Sequence, residues 1–193
     1  MKLGFGLSLG VDQYIIDGTQ ITLDQSDDPA LQNYRGSSYE FNTKFGVYFY
    51  GDNYYAGFSI PQLVPDRINI FESATNMSKI ENHYILNGAY KFEIADDFKL
   101  EPALLMRWRS PAPVQFDISL WAYYKDMLWL GLTYRTEDAF SFGVGFLYNN
   151  SLLIGYSYDY TTSFLSNFTS GSHEVMLGFR FNSAEAKEIP PLL

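Results

Sequence analysis

The chain has 193 residues with 16 Tyr, 16 Phe and 3 Trp, so aromatics make up 18% and equal the charged fraction. A hydrophobic content of 47% excludes a disordered chain, yet no stretch approaches the roughly 18 uninterrupted apolar residues of a transmembrane helix. The net charge of -9 makes nucleic acid a poor partner, and the lack of cysteine excludes a disulfide scaffold, a thiolate metal site and a Cys nucleophile.

The opening run from Met1 to Val11 carries Lys2 and then apolar residues. Gly4, Gly6 and Gly10 interrupt it, and Asp12 and Gln13 follow without a small-residue cleavage site, so it reads as a strand and not as a signal peptide. Alternation of apolar and polar residues then recurs along the chain. It predicts ten strands, at 2–13, 39–50, 54–60, 83–92, 98–109, 114–124, 127–135, 140–148, 152–161 and 174–181. Most are about nine to twelve residues long, against five or six in a usual globular sheet and about 9 to 11 in a tilted strand that crosses a bilayer.

The connections alternate as well. Gly51-Asp52-Asn53, Ala95-Asp96-Asp97, Lys125-Asp126 and Asn149-Asn150 are tight hairpin turns, in Asp and Asn residues that tolerate turn dihedrals. Between them fall 17–37, 62–82, Ser110 to Pro113, Thr136 to Ala139, and 162–173, three of which are long. Short turns on one rim and long loops on the other are the plan of an up-and-down outer-membrane barrel, with its short turns periplasmic.

The two faces of the predicted strands differ in charge. The apolar phase, from Leu3, Phe5 and Leu7 through Leu128, Leu130 and Leu132 to Val175, Leu177, Phe179 and Phe181, has 50 positions and no charge. The opposite phase holds Lys2, Asp12, Glu40, Lys44, Lys91, Lys99, Glu101, Arg107, Arg109, Asp117, Arg135, Asp159, Glu174 and Arg180, with ten glycines. A charge at the bilayer midplane costs roughly 2 to 4 kcal/mol, which is enough to empty a lipid-facing surface. Aromatics collect at the strand ends of the apolar phase, as two interfacial girdles require. A soluble β-sandwich would also alternate, but it uses shorter strands and has little use for so many Tyr hydroxyls. The predicted fold is therefore an all-β, antiparallel, up-and-down transmembrane β-barrel of outer-membrane type, with about ten strands in this chain. Leu130→Arg is then expected to block assembly and Gly131→Ser to be tolerated.

Chemistry-bearing residues are few. His83 and His173, the only histidines, fall near the long-loop rim six strands apart, too far to share a metal with Glu81 or Glu174. Ser172-His173-Glu174 brings a hydroxyl, an imidazole and a carboxylate together, but consecutive strand residues face opposite ways and cannot form a relay. Neither a catalytic site nor a cofactor is expected. The inner charges Lys99, Glu101, Arg107, Arg109, Asp117, Arg135, Asp159, Glu174 and Arg180 are expected to form a polar network lining the lumen. Surplus acids, Asp17, Asp24, Asp27, Asp28, Asp66, Glu72 and Glu81, lie on the long-loop side and give that end a negative potential. The last strand, with Val175, Leu177, Phe179 and Phe181 on one face, closes on aromatic-x-aromatic and looks like the insertion signal of outer-membrane barrels. The barrel is expected to occupy 1–181. A polar tail, 182–193, follows with Pro190-Pro191 against regular structure, and would hang in the periplasm.

Several motifs carry a resemblance. They are Tyr55-Ala56-Gly57-Phe58-Ser59-Ile60-Pro61, His83-Tyr84 with Gly88-Ala89-Tyr90, Lys99-Leu100-Glu101-Pro102, Gln115-Phe116-Asp117, Leu128-Trp129-Leu130-Gly131-Leu132-Thr133-Tyr134-Arg135, Ile154-Gly155-Tyr156-Ser157-Tyr158-Asp159 and Gly171-Ser172-His173-Glu174-Val175-Met176-Leu177. In this order and spacing the chain resembles the PorP/SprF family of type IX secretion system membrane proteins. The resemblance implies a non-enzymatic barrel of the bacterial outer membrane that serves type IX secretion and gliding. Its partners would be outer-membrane lipid, type IX components and a large secreted or surface protein. Family members ordinarily begin with a signal peptide and further strands, so the resemblance also implies that this chain is a C-terminal portion of a larger barrel. A passive pore or solute transporter of similar shape is the alternative, and a barrel enzyme acting on lipid or peptide a weaker third.

Overall fold

The computed structural model describes residues 1–17, 35–64, 81–149 and 151–179. Among these residues eleven strands run in chain order: β1 Lys2–Asp17, β2 Arg35–Tyr50, β3 Tyr54–Ile60, β4 His83–Tyr90, β5 Phe92–Ala95, β6 Phe98–Arg109, β7 Gln115–Tyr124, β8 Leu128–Arg135, β9 Ala139–Tyr148, β10 Leu152–Thr161 and β11 Ser172–Phe179. A short 3-10 helix, Phe164–Asn167, sits between β10 and β11. Each strand pairs antiparallel with the next in one meander, β1-β2-β3-β4-β6-β7-β8-β9-β10-β11, and β5 pairs β6 beside β4. This is the wall of an up-and-down β-barrel, and among the described residues β1 and β11 are its two edges.

Burial is inverted relative to a water-soluble sheet. Among the described residues, Trp129, Ala139, Leu147, Glu40, Glu101 and Asp117 are the buried residues other than glycine, and all six belong to the charged phase. The apolar phase is exposed, from Leu9 at 76% on β1 through Leu132 at 53% on β8 to Val175 at 74% on β11. A sandwich would bury that apolar phase against a second sheet. Here the polar side is the packed interior and the apolar side needs lipid, which decides between the two readings of the alternation.

Rings line both rims of the outer face. Phe49 and Tyr54 (5.6 Å), Tyr90 and Phe92 (4.6 Å), and Phe98 and Tyr124 (5.5 Å) meet on the short-turn side. Tyr84 and Trp108 (5.2 Å) and Tyr134 and Phe140 (4.8 Å) meet on the long-loop side. Rings at these two levels suit headgroup depth.

The first hairpin is longer than its pattern suggests. Both β1 and β2 have 16 residues, in continuous register from Lys2 opposite Tyr50 to Asp17 opposite Arg35. At about 3.4 Å per residue such a strand runs roughly 50 Å, well beyond an apolar band of about 25 Å even at a tilt. The apolar stripe ends at Val11 and Phe41, and on the same face Gln13 then donates to the Tyr39 hydroxyl at 3.0 Å. Beyond that level lipid no longer imposes alternation, so the pattern stops while the ladder continues.

The segment expected at 83–92 also differs in detail. Positions β4 and β5 keep the same register against β6, Ala89 opposite Ala103 and Phe92 opposite Leu100, so they are one strand interrupted near Lys91. Pro102 of β6 faces this interruption and has no N–H to donate. The Lys91 N–H instead donates to the Asn53 carbonyl in the turn before β3, at 2.7 Å. Phe181, Arg180 and the expected tail 182–193 lie outside the described residues.

Candidate functional site

The inner face is organised in three levels. Nearest the long loops, Asp117 of β7 is 8% exposed and sits between two guanidinium groups. Arg107 Nη2 donates to its Oδ2 at 2.5 Å, and Arg135 Nε lies 3.4 Å away. Arg135 Nη1 reaches Asp138 at 3.3 Å in the β8–β9 turn. The register places Asp117 opposite Arg135 and one step diagonal from Arg107, within reach of long side chains. One step inward, the Ser119 and Thr133 hydroxyls hydrogen-bond at 2.8 Å.

The middle level is made of indoles laid on glycines. Trp121 is opposite Gly131, and Gly131 is opposite Gly143. Trp129 is opposite Gly145, and Gly145 is opposite Gly155. A Cβ at Gly131 would run into the Trp121 ring, and one at Gly145 into the Trp129 ring. The two indoles meet edge to face at 5.4 Å. The absent side chains are what let large rings lie along the wall, and so the expectation that Gly131→Ser is tolerated is corrected: that hydroxymethyl would occupy the Trp121 site.

The third level, nearest the short turns, joins aromatics to ion pairs. Lys91 Nζ lies 3.6 Å from Glu101 and 5.2 Å from the centre of the Tyr123 ring, and Tyr48 and Tyr55 stack at 5.6 Å. Two adjacent turns are cross-linked: Lys99 Nζ bonds Asp126 at 2.8 Å and Lys125 Nζ lies 3.6 Å from Asp97. Lys125 and Asp126 both have φ of 53°, the left-handed geometry that the sequence of this turn tolerates. Asp97, foremost, and the Tyr124 hydroxyl hold the Lys125 ammonium pKa above its ordinary value.

The polar residues picked out by sequence thus fall into separate places. Arg107, Asp117 and Arg135 come together at one level; Lys99 and Glu101 belong to the other end of the wall. Arg109 lies at the rim opposite His83, Asp159 opposite Ser141 and Ser172, and Glu174 opposite Ser157. Val175, Leu177 and Phe179 present exposed apolar side chains on β11. His173 shares their outer phase, where the Tyr156 hydroxyl lies 2.7 Å from its Nδ1, while its neighbours Ser172 and Glu174 take the inner phase. His83 is on the inner phase of β4, so the two histidines stand on opposite sides of the wall. Sequence reasoning passed over Asp138, Asp126, Asp97 and the two tryptophans. The last depend on a turn one residue longer than Lys125-Asp126: the connection from Tyr124 to Leu128 includes Met127 and sets Trp121 against Gly131, where a two-residue turn would set it against Leu130.

Residues 1–179 match the type IX secretion system membrane protein family PorP/SprF, from before β1 to the last residue of β11. The chain belongs to the PorP/SprF family. As a PorP/SprF protein it is an outer-membrane β-barrel component of type IX secretion, which accounts for an apolar surface facing outward around a charged interior. The sequence matches no individual curated protein.

Proposed function

We propose that this PorP/SprF chain is a non-enzymatic docking or anchoring component that supports secretion or surface attachment of a large exported protein. The observation that carries the reading is that the family match covers the entire described wall, which supports taking the whole sheet as part of the family's membrane barrel. The interior supports a binding or scaffolding role over a wide passive pore: ion pairs at both ends and flat-lying indoles between them fill the inner side of β6–β10 with fixed side chains. In this reading the outer face meets outer-membrane lipid and other type IX components contact the rims. The inner charges Lys99, Glu101, Arg107, Arg109, Asp117, Arg135, Asp159, Glu174 and Arg180 would line the lumen, and of these Arg107, Asp117 and Arg135 at one end and Lys99 and Glu101 at the other hold the wall's inner shape. Residues 1–181 form the C-terminal part of the barrel, the stripe Val175, Leu177, Phe179 and Phe181 serves as the insertion signal, and 182–193 extends into the periplasm.

Deleting the gene and measuring the surface-exposed and secreted proteome tests the proposal. Loss of one or a few large type IX substrates is the expected result. Unchanged export, together with large stable conductance of the purified protein in planar bilayers, would leave a passive pore as the better account.

A further inference from the structure

The connection from β10 to β11 differs from the other long connections in charge. From Tyr160 to Ser172 it contains no charged residue, whereas 17–37 carries Asp17, Asp24, Asp27 and Asp28, and 62–82 carries Asp66, Glu72 and Glu81. It also holds Phe164, Leu165 and Phe168, exposed by 77%, 60% and 79%. These are not side chains of a slack segment. The N–H groups of Thr162 and Ser163 donate to the Asp138 carbonyl at 2.7 and 3.1 Å, and those of Phe168 and Thr169 to the Leu165 carbonyl at 2.9 and 3.1 Å. Asn167 Nδ2 donates to the Phe164 carbonyl at 3.1 Å. A hydrogen-bonded backbone therefore holds three large apolar side chains out into the surroundings, with the two phenyl rings edge to face at 5.9 Å.

The side of the wall on which the loop returns is fixed by Tyr158. Its side chain belongs to the lipid-facing phase, opposite His173 and Phe142, and its hydroxyl donates to the Ser170 carbonyl at 2.7 Å. The returning limb of the loop thus lies against the outer girdle and not over the lumen. This level already combines apolar bodies with polar tips, in Tyr156, Tyr158 and His173. Continuity with the lipid-facing surface and freedom from acidic groups favour a lipid interface over a protein surface, because carboxylates would resist entry among anionic headgroups.

We propose that the β10–β11 loop is an interfacial anchor, with Phe164, Leu165 and Phe168 inserted at the headgroup–acyl boundary of the outer leaflet. It would fix the height and rotation of this edge of the wall in the membrane. The chain has no cysteine, so single nitroxide labels can be placed at Phe164→Cys, Leu165→Cys and Phe168→Cys. Glu137→Cys, in the β8–β9 turn on the same rim, serves as the aqueous reference. Collisional accessibility is measured on the full chain in outer-membrane vesicles, with oxygen as the lipid-soluble probe and a nickel chelate as the water-soluble one. The expected result is severalfold higher accessibility to oxygen than to nickel at 164, 165 and 168, with the order reversed at 137. Nickel accessibility at the three sites equal to that at 137 overturns the proposal. Shielding from both probes overturns it too, since that reports a covering protein. Because all three side chains are exposed, their replacement leaves the wall's packing untouched, and correct folding is checked by heat-dependent gel migration.

Discussion

The Trp121 indole lies across Gly131, its cross-strand partner, so closely that one added carbon would overlap the ring. The same relation repeats one step along, between Trp129 and Gly145, and the two indoles meet between the strands. Each indole is therefore followed across the sheet by two bare positions, Gly131 and Gly143 beside Trp121 and Gly145 and Gly155 beside Trp129, and is held by the absence of its neighbours' side chains.

Gly131→Ala should consequently destabilise the folded barrel by about 1 to 3 kcal/mol, the usual penalty for overpacking. Combining it with Trp121→Leu should recover most of that loss, since the ring that collides has gone. The check is urea unfolding in detergent micelles followed by tryptophan fluorescence. Additive losses in the double variant would mean that the two positions do not compete for the same space.

Asp117 is the shared acceptor of Arg107 and Arg135. Asp117→Asn keeps the shape but leaves two guanidinium groups facing each other with only Asp138 to balance Arg135. The expected loss is about 1.5 to 3 kcal/mol, the range for hydrogen bonds to charged groups, and it should be larger at low salt. Arg107→Gln added to Asp117→Asn should remove part of the repulsion. A double-mutant cycle in the same unfolding assay reads the coupling, and a coupling of zero would show that the cluster is decorative.

The contrast between these two sites explains how far the sequence could be read. Alternation with the charges on one phase identified the strands and their faces, because lipid punishes every exception on the outer side and so the signal is repeated on each strand. Inner partners depend on register, which one turn residue can shift. The sequence places Arg107 near Asp117, since β6 and β7 are joined by a short connection. It does not reveal that Lys99 turns to Asp126, a residue that reads as a turn former and nothing more. Strand ends were lost for a different reason. Residues 14–17 and 35–38 continue the ladder above the apolar band, where nothing forces polar and apolar residues to alternate. The extra strand boundary at Lys91 is a backbone effect of Pro102 that hydrophobic periodicity does not register.

The two short turns bound by Lys125 and Asp97 should respond to alkali. The Lys125 pKa is raised, first by Asp97, so the folded state holds the proton more tightly than the unfolded chain does. The contribution is complete below the ordinary lysine value and is lost as pH rises through the raised one. Unfolding midpoints measured between about pH 9 and 12 should fall in the parent protein and fall less in Lys125→Gln. Because this lysine is exposed, the effect should be small and should shrink with added salt.

The same charge placed on the two faces of the wall should have opposite consequences. Leu130 points outward from the middle of β8 and is 41% exposed to what the membrane supplies. Leu130→Arg puts a guanidinium against lipid near the midplane, at a cost of roughly 2 to 4 kcal/mol, and should abolish assembly or leave a barrel that unfolds at lower urea. Ser157 is on the inner phase of β10, opposite Glu174 and Gly143. There Ser157→Arg finds the Glu174 carboxylate as cross-strand neighbour, on the side of the wall away from lipid, so assembly should proceed. Protease resistance and heat-dependent gel migration of outer-membrane fractions separate the two. Equal assembly of both variants would contradict the assignment of the faces, and failure of Ser157→Arg alone would mean that lipid lies on the side taken here as the lumen.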